Sequence, residues 1–161
     1  MPEWLLISAL VVWGGTSAHA DEKSPGADGA LRPAQPEAVQ LRGRVVCLPE
    51  EMHRMFQTDL PTNHEHLHGF KTTNGVYYTL LRTKFSEALF ADQRLREKEL
   101  LLNGRVLPLS HIFDVTGMKS VRDGVVYDLY YYCDICAIET VVPGPCMCCQ
   151  APVELMESKS R

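Results

Sequence analysis

The chain has 161 residues, 16 Lys or Arg against 20 Asp or Glu, and 45% of it is hydrophobic. That is the composition of one modest globular domain, and it excludes a large multidomain enzyme. A net charge of −4 spread along the chain supplies no field for holding phosphates, which argues against nucleic-acid binding.

Residues 4–13 (WLLISALVVW) form a largely apolar run, followed by small residues and Ala18-His19-Ala20. This predicts a secretory signal peptide over residues 1–20, although no Lys or Arg precedes the run. Ten residues are too few to cross a bilayer, which takes roughly 20, so no transmembrane span is expected in the mature chain. The mature protein would then be periplasmic or secreted, in an oxidising compartment. Residues 21–39 carry Pro25, Pro33, Pro36, Gly26 and Gly29 with few large aliphatics, and read as a disordered linker.

From Gln40 the punctuation is that of a β protein. Residues 41–48 (LRGRVVCL) read as a strand containing Gly43, and residues 75–81 (GVYYTLL) as a second, entered through Asn74-Gly75. Residues 99–107 and 111–115, separated by Pro108, give two more, and Asp123-Gly124 turns into a strand over residues 125–132 (VVYDLYYY). Pro49 with Glu50 and Glu51 opens a helix to Phe56, and Ser86 opens a short helix or helical turn to Arg96. The series L-x-G-x-V-V-C-L, G-V-Y-Y-T-L-L and L-L-L-N-G-R-V resembles the small OB-fold modules of exported bacterial proteins. The resemblance implies a mainly β fold, an OB-like Greek-key barrel over residues 40–132, with an open Greek-key sheet as the alternative. Nucleic-acid binding is not carried over with it.

Residues 133–157 hold the strongest chemical signal. Cys133, Cys136, Cys146 and Cys149 stand as C-x2-C-x9-C-x2-C, with Pro143-Gly144-Pro145 in the spacer. Two such pairs on two turns can close around one tetrahedral ion, so a C-terminal knuckle hairpin is expected. The pattern resembles zinc ribbons and rubredoxin-like knuckles, and also the short heavy-metal-binding domain of copper-exporting ATPases and efflux proteins. Tyr132-Cys133, Pro143-Gly144, Cys146 and Cys149 match that last domain, whereas Cys136 stands where it has His and Gln150-Ala151 where it has Gly-Met. Four thiolates favour zinc first, with iron or Cu(I) as the other candidates. The competing reading is a disulfide framework, since the six cysteines are an even number. Cys148 is left over in the four-ligand scheme, free to replace a neighbour or bridge to Cys47, and Cys47 alone reads as a small buried hydrophobe.

His64, His66 and His68 alternate, so on a strand they would share one face and offer a second metal site; in a surface loop they would merely meet solvent. His53 or His111 could complete such a site, although nothing in the spacing selects either, and Cys47, near only in sequence, leaves a mixed Cys/His site open. No nucleophile elbow, zinc-protease motif, phosphate loop or dinucleotide fingerprint is present. The sequence therefore predicts a non-catalytic metal-binding protein whose partners are a metal ion and another exported protein. A redox protein using four-cysteine iron or a dithiol pair is the alternative.

Overall fold

A computed structural model describes residues 34–161; the expected signal peptide and most of the expected linker lie outside the described residues. The elements run β1 (Glu37–Cys47), α1 (Leu48–Phe56), β2 (His68–Thr72), β3 (Tyr77–Leu80), α2 (Glu87–Ala91), α3 (Gln93–Arg96), β4 (Glu99–Val106), β5 (Ile112–Arg122), β6 (Val125–Cys133), β7 (Ile138–Thr140) and β8 (Glu154–Lys159). The protein is mainly β, as the sequence predicts. Among the described residues no helix is long and apolar enough to cross a membrane.

β1 pairs antiparallel with both β2 and β4, β2 with β3, and β4 with β5. The circuit closes where β3 pairs parallel with β5, Thr79 opposite Ile112 and Leu80 opposite Phe113. β1 can serve two neighbours because its first part, through Gly43, faces β4, and its second part, from Gly43 on, faces β2. A β-carbon on Gly43 would lie 2.0 Å from the Lys71 carbonyl oxygen, so only glycine allows the approach at this changeover. β1 begins at Glu37, before the expected boundary at Gln40, because residues 37–39 already pair with β4.

Strand periodicity fills the interior: Leu100 and Leu102 of β4, and Phe113 and Val115 of β5, alternate inward and are completely buried with Phe70 of β2. Each such side chain contributes about 1.5–3 kcal/mol on leaving water. The expected helical stretch after Ser86 is broken in two at Asp92, whose extended backbone ends α2 and whose side chain accepts the Arg94 N–H to start α3. Leu89 and Leu95 from these helices join the same core. The Asp123-Gly124 turn behaves as predicted, with both residues at positive φ (50° and 77°), the tight hairpin geometry that joins β5 to β6.

α1 buries no residue and is held by polar contacts. Glu51 accepts from Lys71 Nζ at 3.0 Å and from Tyr77 Oη at 2.7 Å, tying the helix to β2 and β3. Its neighbour Glu50 is thereby left on the side of the loop that precedes β2.

Candidate metal centre

β6 carries the chain out of the circuit and ends on Cys133. Residues 134–137 reverse it into β7, with Cys133 opposite Ile138. A second reversal lies between Pro145 and Pro152, which pair across it, and it contains Cys146 to Cys149. β8 then returns along β6, placing Glu154 opposite Tyr132. Each reversal ends on a left-handed residue directly after the second cysteine of its pair, Ala137 at φ 53° and Gln150 at φ 62°. The same local turn is thus used twice, and β6 holds the two copies side by side.

All four sulfurs, of Cys133, Cys136, Cys146 and Cys149, lie within 4.8 Å of one another, and Cys133 Sγ is 3.5 Å from Cys149 Sγ. Four thiolates bonded at about 2.3 Å to one ion are about 3.8 Å apart, so the group needs only a small adjustment to hold a metal. Cys133 and Cys146 are buried, Cys136 and Cys149 half-buried, and all six cysteines are free thiols rather than disulfides.

The backbone prepares the site for negative charge. The Cys149 and Cys148 N–H groups point at Cys146 Sγ and bring its pKa down to about 7; the Cys148 nitrogen is 3.5 Å from that sulfur. Thiol contacts with Cys149 and Cys148, then burial, push Cys136 well above the ordinary thiol range. At Cys133 a bond from the Cys136 backbone favours the thiolate, but burial and the thiols of Cys149 and Cys146 outweigh it and raise the pKa. Four sulfurs this close cannot all ionise unaided, and a bound cation is what lets them do so. Cys148 itself is exposed and outside the group.

Of the two readings of the histidine run, the loop holds for His64 and His66 and the strand does not. His64 and His66 lie in a loop, and β2 starts only at His68, so the three rings do not line one face. His64 and His66 converge on Cys47 and Glu50. His68 is outside that group: its Nε2 accepts from Arg96 Nη1 at 2.7 Å and its ring packs edge-on against Phe90. Burial and the Arg96 charge hold the His68 pKa below the usual imidazole value. Nor is Cys47 a buried hydrophobe; it is half-buried and faces the two imidazoles. His53 bonds the Thr58 carbonyl and His111 lies against Tyr78, and neither joins a ligand group among the described residues. Glu50 went unnoticed in the sequence as a ligand. The signal for it was local, since Cys47-x2-Glu50 spans the entry to α1 and puts both side chains beside one helical turn.

No family model, curated protein or solved structure matches the chain.

Proposed function

We propose that this is an exported, non-catalytic metal-binding protein in which Cys133, Cys136, Cys146 and Cys149 hold one zinc ion on an OB-like scaffold. The observation that carries the reading is the convergence of four sulfurs from two matching turns. All-thiolate tetrahedral coordination suits zinc, and four protein ligands are the pattern of a structural centre, whereas a catalytic one keeps the fourth position for water or substrate. The circuit β1–β2–β3–β5–β4 supports the OB-type assignment, and the paired β6–β7 and 145–152 turns support the zinc-ribbon likeness. Metal handling or the binding of another exported protein is the task proposed for the assembly. Export rests on residues 1–20 and is tested by N-terminal sequencing of material from the producing cell, which should begin at Asp21.

Elemental analysis with a visible spectrum tests the centre. One zinc per chain and no visible absorption are expected, whereas a coloured four-thiolate iron site would favour the redox alternative. Cys133→Ser and Cys146→Ser should each lose most of the metal; full occupancy in either variant would overturn the assignment.

A further inference from the structure

A second set of ligand atoms converges where β1 passes into α1. Cys47 Sγ lies 3.4 Å from His64 Nε2 and 3.3 Å from His66 Nδ1. Glu50 Oε1 is 3.3 Å from His64 Nε2 and 3.7 Å from His66 Nδ1. Four bonds of about 2.0–2.3 Å directed to the corners of a tetrahedron leave the ligand atoms about 3.2–3.8 Å apart, and these four separations fall in that span.

The hydrogen bonds around the cluster orient it for the same purpose. His64 Nδ1 donates to the Pro61 carbonyl at 3.1 Å. In the neutral ring that leaves the Nε2 lone pair aimed at the Cys47 sulfur and the Glu50 carboxylate, a repulsive arrangement unless a proton or a cation lies between them. A carbonyl behind the second nitrogen is also the usual support of a metal-bound histidine. The ligands come from three fixed places. Cys47 ends a paired strand, Glu50 sits on the helix that Glu51 ties to Lys71 and Tyr77, and the His loop is pinned by the Leu48 N–H donating to the Leu67 carbonyl at 2.9 Å.

We propose that Cys47, Glu50, His64 and His66 form a second metal site, built for a divalent ion of the zinc class and open to exchange with solution. One thiolate, two imidazoles and one carboxylate are too hard a set to prefer Cu(I) and too soft for magnesium or calcium. Exchange follows from exposure: the Glu50 and His66 side chains are 54% and 57% accessible, at the edge of a groove of about 570 Å³. His68 is excluded from the ligand set because Arg96 occupies its Nε2. The site is independent of the four-cysteine centre in every ligand, so one can fail without the other.

The test uses the full chain, reduced and loaded with one equivalent of zinc, then titrated with Co(II). Tetrahedral Co(II) reports its ligands through visible bands, and a thiolate adds a sulfur-to-metal charge-transfer band. One further equivalent should bind with that band. Cys47→Ser should remove the band. His66→Ala, a change at an exposed position, and the double variant with His64→Ala should each weaken binding at least fivefold, since loss of even an outer partner costs about 10–100-fold. Failure of the zinc-loaded wild type to take up a second equivalent, or a loss smaller than fivefold in the double variant, overturns the proposal. Zinc content is read in the same samples, so the outcome is scored separately from the four-cysteine centre.

Discussion

Asp92 shows how much one carboxylate can hold together. It starts α3 by accepting the Arg94 N–H at 3.0 Å, pairs with the Arg94 guanidinium at 2.6 Å, and accepts from Tyr131 Oη at 2.8 Å, so the helices and β6 meet on it. The Arg94 side chain, Tyr131 and the Arg94 backbone together outweigh burial and bring its pKa down to about 2. Burial and the Asp92 charge push the Tyr131 phenol the other way, so it remains the donor. A carboxylate depressed in the folded state stabilises fully above the unfolded value of about 3.9 and loses that contribution as pH falls through the folded value. The shift corresponds to roughly 2 kcal/mol at neutral pH. Asp92→Asn should therefore be less stable than wild type at pH 6, with the gap closing towards pH 2. Urea midpoints measured across that range check it, and a gap that stays constant would contradict the role given to the charge.

At the scale of elements, β1 is the strand on which the circuit depends, because it alone pairs with both β2 and β4. Gly43→Ala sets a methyl group against the Lys71 carbonyl and the Thr72 backbone, neither of which can yield as a flexible side chain would. The cost should be about 1–3 kcal/mol, seen as a lower denaturant midpoint with an unchanged slope. An unchanged midpoint would mean that the changeover is not held at Gly43. The glycine, the strand and the Asp123-Gly124 turn were legible in the sequence because each is a local signal. β2, β7 and β8 were not. β8 reads ELMESK, with Glu154, Met156 and Ser158 exposed and Leu155 and Glu157 half-buried, and what makes it a strand is pairing with β6, which no local pattern announces. The four-cysteine group was legible for the same reason as the turn, its ligands being paired at close spacing. Cys47 and His64 stand 17 residues apart on a strand end and a loop, so their meeting is a product of the fold. The two cysteine-pair turns were expected from the same spacing, but their left-handed residues were not, since Ala137 and Gln150 occupy positions where a glycine would have been the signal.

Across the whole molecule, the two halves of β6 serve different masters. Its first half pairs with β5, a strand of the closed circuit, while its second half pairs with β7 and β8 and ends on Cys133. The circuit has its own apolar interior, with Phe70, Leu100, Leu102, Phe113 and Val115 fully buried. The reversals at residues 134–152 have almost none. Cys146 is buried, but Ile135 and Met147, the large apolar residues at their tips, are 68% and 90% exposed. A segment that buries so little cannot offset its own ordering entropy, so its structure should depend on the metal while the body's should not. β8 stands between these limits, because Glu157 ties it to Lys98 and Arg122 beyond the hairpins. Removing the metal with a chelator should abolish amide protection across residues 134–152 and weaken it in β8. Amides of β1, β4 and β5 should keep their protection. Hydrogen exchange with and without chelator decides the matter: equal loss in the central strands would make the centre a global staple, and unchanged protection at residues 134–152 would show hairpins that fold without any ion.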